Sequence, residues 1–268
     1  MKLLAPALGD TLETMTFLPQ EDVDNARFVG LTLDGLALPR QEFSKCMFER
    51  CTLTGDFERC AFVDVIFDHC DLSGLRGESA AFQRVSFRSC RLMGASLALA
   101  ALRNVTWKEC KATYLNVSGA SMQGVAFTEC QLEESAWEQV TWRNLTMTDC
   151  DLTRAVFHQT ALAGLDLRTD RLDGIIAAPA SLRGAIVTSM QALVLARLLE
   201  MDRGVTLLNG EGAFQHRERK IIMCAVRRNQ IVPVKLLVRS IDPDAFVIVC
   251  KANEVLGEGF GEYNKNSI

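Results

Sequence analysis

Every fifth residue of this chain is large and apolar over a long central stretch. From Phe62 the series runs through Phe67, Leu72, Phe82, Phe87, Leu92, Leu97, Leu102 and Trp107. It continues through Val117, Phe127, Trp137, Trp142, Met147, Phe157 and Leu167 to Val187, with Gly77, Ala112 and Ala177 as small exceptions. The residue two before each is small or branched, as at Cys60, Val65, Cys70, Leu75, Ala80, Val85 and Cys90. Residues 60–187 hold 26 charged side chains, and only Asp170 falls in either column. Blind scatter over two positions in five would place about ten there, so both columns point away from water. A helix would repeat its apolar residues at i, i+3, i+4 and i+7, and an ordinary strand would alternate strictly. A drift-free period of five requires a corner every five residues, with two side chains buried on each side. Four such sides close one square coil.

The upstream series Phe28, Leu33, Leu38, Phe43, Phe48 and Leu53 is offset by one residue. A single deletion between Leu53 and Phe57 reconciles the two registers and predicts a tightened corner. About eight coils follow, giving a rod roughly 40 Å long at the ordinary strand spacing. Cys51, Cys70, Cys90, Cys110, Cys130 and Cys150 recur at steps of 20 after a first step of 19. They form one inward ladder, in which stacked, parallel Cβ vectors are poorly directed for disulfides. Cysteine there reads as a small, close-packed hydrophobe rather than a redox or metal group. No CxxC occurs, and His69, His158 and His216 complete no zinc-ligand spacing, so neither a metal nor another cofactor is expected.

Asn25-Ala26-Arg27-Phe28, Cys70-Asp71-Leu72-Ser73 and Cys150-Asp151-Leu152-Thr153-Arg154 resemble the pentapeptide-repeat family, over roughly residues 23–187. The resemblance implies a mainly β protein built on a right-handed quadrilateral β-helix. An open end of such a rod exposes strand edges and apolar interior. Thr188-Ser189 followed by Met190, Leu193, Val194 and Leu198 predicts a capping α-helix. In family members a similar helix contributes to a dimer, so a homodimer is an expectation of the resemblance.

Beyond Asp202-Arg203 the period disappears. An extended segment at 204–208, a turn at 209–212, a strand at 221–226, a helix from Asn229 to about Arg239 and a strand at 246–250 indicate a small α+β domain. Residues 210–214, 241–246 and 253–260 (GEGAF, IDPDAF and NEVLGEGF) resemble the soluble C-terminal domain of YitT-family bacterial membrane proteins. That resemblance implies a ferredoxin-like regulatory module. The expected organisation is therefore a β-helix over 1–187, a capping or linker helix over 188–203 and the α+β domain over 204–268. Gly210, Gly212, Gly257 and Gly259, with Arg227 and Arg228, are candidate ligand turns, because glycine backbone can approach an anion closely. Turn geometry alone is the competing reading.

The formal net charge of −4 gives no reason to expect direct nucleic-acid binding. No apolar run is long enough to span a bilayer, and Asp10 and Glu13 interrupt the opening apolar stretch too early for a secretory signal. A cytoplasmic protein with reduced thiols is expected. Charge is segregated along the rod. Residues 76–111 are net basic, whereas Glu129, Glu133, Glu134, Glu138, Asp149 and Asp151 form a candidate acidic partner surface. Pentapeptide-repeat proteins include DNA mimics that bind gyrase and other type II topoisomerases. Residues 60–187 hold 14 acidic and 12 basic side chains, far from a uniform anionic cylinder. A protein-interaction or structural rod with a C-terminal regulatory, ligand-binding module is the leading reading, and a DNA-mimicking topoisomerase modulator is the alternative. Cys70 is inward and His69 outward, so no nucleophile and base pair forms, and a non-enzyme is expected.

Overall fold

A computed structural model describes residues 3–38, 40–196, 205–211, 218–224, 226, 231–241 and 246–250. The chain divides into two compact units, Met1–Gln191 and Ala192–Ile268. The first is a β-solenoid of about eight turns. Its longest strands, Ala61–Asp68, Ala81–Arg88, Ala101–Lys108, Ser121–Thr128 and Thr141–Thr148, stack in parallel, each residue over its counterpart one coil later. Phe62 thus lies over Phe82, and Trp107 over Phe127.

The corners are made by a third column two residues after each large inward side chain. Arg59, Asp64, His69, Ser79, Arg84, Ser89, Leu99, Asn104, Glu109, Tyr114, Glu129, Glu134 and their successors all have φ near +55°. A left-handed conformation costs an L-residue about 1–2 kcal/mol, and here it is accepted at corner after corner. The compensation is stacking. Corner amides donate to carbonyls of the following coil, as from His69 to Arg88, Ser89 to Lys108 and Glu109 to Thr128, at 2.9–3.0 Å. Inside, the two apolar columns fill the coil. Phe28, Phe48, Phe67, Phe87, Trp107 and Phe127 form a continuous ring stack with centroids 4.1–5.4 Å apart. Phe43, Phe62 and Phe82 form a second. Burial at this density is the dominant favourable term in the fold.

Ser135, Thr160 and Asp170 are polar residues in the inward columns, and Trp142 is a large inward residue that is not fully enclosed. Ser135 is fully buried, and its hydroxyl donates to Leu132 O and accepts the indole N–H of Trp137 at 2.8 Å. Trp142 is only half-buried, because its indole N–H reaches out to Ala161 O at 2.7 Å.

The deleted residue falls at Gly55. Leu33 pairs with Leu53, but Leu36 pairs with Gly55, so the register drops from 20 to 19 at this corner. Gly55 has φ +123°, and a Cβ there would lie 2.2 Å from Leu36 O and 2.4 Å from Leu36 N. Only a residue without a side chain passes this close to another backbone.

Gly55→Ala is therefore expected to lower the unfolding free energy by about 2–4 kcal/mol, the range of severe backbone and packing defects. Gly74→Ala, at an ordinary left-handed corner with nothing within 4 Å of the new methyl, should cost about 1 kcal/mol. Denaturant melts followed by circular dichroism compare the two, and equal losses would mean that Gly55 is not a close-approach corner.

Candidate functional site

Side chains at equivalent positions of successive coils meet across the coil boundary, so the surface is organised in axial rows. Opposite charges often follow one another along a row. Arg84 grips Asp64 through two hydrogen bonds of 2.6 Å, Arg76 reaches Asp56 at 3.4 Å, and Arg171 reaches Asp151 at 3.4 Å. Arg154 pairs with Glu134 in the same way, and Arg27 reaches diagonally to Glu49, the residue in register with Val29. The hydrogen bond from Arg84 holds the Asp64 carboxyl below the usual carboxylate range, against its burial.

This pairing breaks up the acidic segment seen in the sequence. Glu133 and Glu134 lie at one corner, where Glu133 accepts from Thr113 and Glu134 is held by Arg154 and the Tyr114 hydroxyl. Asp151 is tied to Arg171. Glu138 lies on another side of the coil, its carbonyl accepting from Gly119 N. Glu129 and Asp149 stack at one corner in adjacent coils below Glu109. Glu109 is paired with Lys108, and this hydrogen bond leads the lowering of its pKa. Among the described residues, the acidic feature that survives as a row without a basic partner is Glu129 with Asp149. Counting charges in steps of 20 along the sequence would have revealed these pairs.

Cys51, Cys70, Cys90, Cys110, Cys130 and Cys150 are buried free thiols, one per coil. The Cys70 and Cys90 sulfurs donate to Phe48 O and Phe67 O, 3.3 and 3.4 Å away. Burial pushes the Cys46 thiol up to about 11, and the neighbouring Cys110 thiol together with burial pushes Cys90 up to about 12. A nucleophilic or metal-binding cysteine needs the thiolate, which burial opposes at Cys46 and Cys90, whereas hydrogen bonds with Cys110 and Cys150 draw Cys130 in the other direction. Among the described residues no cluster of three or more His, Cys, Asp or Glu is placed to hold a metal ion.

Toward the C-terminal end of the rod, side chains take over from backbone as acceptors. Thr160 Oγ1 accepts from Val140 N at 3.0 Å, Thr169 Oγ1 from Asp149 N at 3.0 Å, and Asp170 Oδ1 from Cys150 N at 2.8 Å. Asp170 is the one charged residue in the inward columns, 5% exposed, and its Oδ2 is buried without a hydrogen-bond partner. Burial raises its pKa to about 6. Thr188 and Gln191 form a reciprocal capping box on the helix Ser189–Ala196, with Thr188 N donating to Oε1 at 2.7 Å and Gln191 N donating to Oγ1 at 3.2 Å. The Gln191 amide also donates to Leu167 O and Asp170 O, both at 2.7 Å. This helix therefore hydrogen-bonds the last coil through its first turn. Residues 197–203 of the expected linker lie outside the described residues.

In the second unit, strands Val205–Glu211 and Glu218–Cys224 pair antiparallel, and Ile231–Ile241 is helical. Gly210 was expected in a turn. It lies within the hairpin instead, opposite Arg219, because the strand continues to Glu211. Residues 246–250 were expected as a strand and take no regular secondary structure. Gly212, Arg227, Arg228, Gly257 and Gly259 lie outside the described residues.

A family model described as "Pentapeptide repeat region" matches residues 41–117, 60–137 and 80–157 in overlapping registers. A second, described as "Uncharacterized protein conserved in bacteria (DUF2179)", matches residues 203–257. The rod is a pentapeptide-repeat β-helix, and the segment after it is a DUF2179 domain, the C-terminal domain of the YitT family. Curated relatives match through that C-terminal domain. UPF0750 membrane protein YpjC of Bacillus subtilis (strain 168) is 41% identical over 85 residues, covering 31% of this chain and 29% of the relative. The uncharacterized protein in the cccA 5′ region of Bacillus sp. (strain PS3) is 49% identical over 76 residues, covering 28% and 51%. The chain thus spans about half or less of the length of these relatives. No helix among the described residues is long and apolar enough to cross a membrane. Among solved structures, full-length QnrB1, a plasmid-mediated fluoroquinolone resistance protein, aligns at 21% identity and TM-score 0.35, covering 67% of this chain and 90% of QnrB1. HetL of Nostoc sp. strain PCC 7120, a pentapeptide-repeat protein involved in heterocyst differentiation regulation, aligns at 14% identity and TM-score 0.29, covering 63% and 90%.

Asp170 links stability to pH. Its folded pKa of about 6 lies above the unfolded value near 3.9, so the folded state binds the proton more tightly. This contribution falls as pH rises from about 4 to about 6 and then stays level, a total of about 2–3 kcal/mol. Asp170→Asn should match the parent near pH 4 and melt several degrees higher at pH 7. A melting-temperature difference that stays constant from pH 4 to 8 would contradict the assignment.

Proposed function

We propose that this chain is a non-enzymatic interaction scaffold: a rigid β-helical rod that presents flat outer faces to a protein partner, joined to a DUF2179 module that regulates it. The single observation that carries this reading is the division of chemistry between inside and outside. The thiols of the rod are sealed in a packed interior, whereas four ion pairs join equivalent surface positions of successive coils and so tie charges into axial rows. A surface of this kind suits shape-directed contact along several coils, the use to which repeat rods are suited. The C-terminal module adds a ligand-responsive element, and stabilisation of the full chain by a nucleotide or another anion in a thermal-shift panel would support that role.

The row of Glu129 and Asp149 favours a second reading, a local mimic of the DNA backbone that engages a type II topoisomerase. Its charge is short by the standard of duplex DNA, which carries about one negative charge per 1.7 Å. In a gyrase supercoiling assay, the scaffold reading expects unchanged activity at micromolar concentrations of the full chain. Inhibition that disappears in a Glu129→Lys/Asp149→Lys double variant would replace the scaffold reading with the mimic.

A further inference from the structure

The outer surface of the rod is not equally exposed around its circumference. Ile66 and Ser86 occupy outward positions, yet they are only 8% and 6% exposed. Asp64 and Asn104, which sit at exposed-type corners of the same side, are 6% and 8% exposed. Burial fades along the row. Thr106 and Ala126, equivalent to Ile66 and Ser86, are half-buried, and Thr146 is exposed.

Along the corner row of this side lies the segment Leu3–Gly9, which runs lengthwise across the coils against the direction of winding. Near the first coils Gly9 fits beside Asn25, where a Cβ would lie 2.2 Å from Oδ1, and the Asn25 amide donates to Thr11 O at 2.7 Å. Further along, Ala7 N donates to Asp64 Oδ1 at 2.9 Å, and Leu4 N to Asn104 Oδ1 at 3.4 Å. Leu3 ends over Gly124, whose missing side chain would meet Leu3 Cδ2 at 3.0 Å. The segment carries no charged side chain, and Leu3, Pro6 and Leu8 are half-buried against the rod.

The two lattices are commensurate. The acceptors Asp64 and Asn104 stand two coils apart, about 9.6 Å at the usual strand spacing. The donors Ala7 and Leu4 stand three residues apart, about 9.3 Å at the rise of a polyproline II chain, whose three residues per turn point both N–H groups to the same side. A peptide of that form, which Pro6 between the two donors suits, delivers a backbone N–H to alternate corners. Between the acceptors, Arg84 fixes Asp64 by a bidentate grip. Glycine at 124 lets the peptide approach closely.

We propose that the corner row Asp64, Arg84, Asn104 and Gly124 is a docking track for an extended, uncharged, aliphatic peptide segment of a protein partner, which Leu3–Gly9 occupies in cis. The partner's segment displaces the strap and donates its own N–H groups to Asp64 and Asn104. Only the identity of the visitor as a partner protein rests on the scaffold reading. The track itself is a property of this chain, and its test needs no partner.

The test uses a fluorescent peptide with the sequence of residues 1–9 and a variant of the full chain lacking those residues. Anisotropy should show saturable binding to the truncated chain and weaker binding to the intact one, whose track is filled. Asn104→Gly removes an acceptor while suiting the left-handed corner, and in the truncated chain it should weaken binding about tenfold, the worth of one hydrogen bond. Absence of saturable binding to a truncated chain with an unchanged circular dichroism spectrum would overturn the track. Should truncation unfold the rod, hydrogen exchange on the intact chain decides the matter. Protected Leu4 and Ala7 amides, with Leu4 exchange accelerated by Asn104→Gly, support docking. Exchange of both amides at unstructured rates overturns it. Failure of the track would leave the scaffold reading standing, whereas a working track with no responsive partner would count against the scaffold alone.

Discussion

Coil-on-coil stacking, in which each residue lies over its counterpart one turn later, is the constraint on which the rest of this structure depends. A left-handed corner every fifth residue is unfavourable for Arg59, Tyr114 or Leu99 taken singly. It persists because corner amides find carbonyls in the next coil and each coil seals the apolar interior of its neighbour. Once that repeat is set, like columns must meet. The Phe28-to-Phe127 ring stack, the thiol ladder and the Asp–Arg rows are three outcomes of the same translation.

The rod does not keep this arrangement to its last residue. After Thr141–Thr148 no further eight-residue strand is added, and hydroxyl and carboxylate oxygens of Thr160, Thr169 and Asp170 supply acceptors. Placing a carboxylate inside an apolar column is costly. The geometry nevertheless satisfies one oxygen of Asp170 while Gln191 satisfies the backbone carbonyl of the same residue. The polar intrusion and the capping helix therefore belong to one local solution for ending a solenoid.

Much of this was legible in the sequence because burial writes directly on residue type. The inward columns, the thiol ladder and the phase slip before Phe57 follow from apolar spacing alone. The corners left a weaker trace, since a left-handed backbone admits Arg, Ser, Leu and Tyr when stacking compensates. Gly74, Gly94, Gly119, Gly124, Gly164, Gly174 and Gly184 all fall in that column and mark it. The coil-to-coil ion pairs were visible at steps of 20 but were obscured when charge was summed along contiguous segments. The docked segment Leu3–Gly9 left no periodic signal, because its contacts use backbone N–H groups, which any sequence carries. Gly210 misled for a related reason: Asn209-Gly210 is a turn signal, yet the hairpin ladder extends past it.

The strap also bears on how such a rod comes apart. A stack held only by nearest-neighbour contacts frays from its ends, one layer at a time. Here a single extended segment touches layers that are 57 and 100 residues away in sequence. Peeling the first layer therefore loads bonds several layers deeper, and the leading end should open as a block rather than unravel. The opposite end relies on a helix fastened through Gln191, so the two ends of the rod should differ in how readily heat or mechanical pulling loosens them.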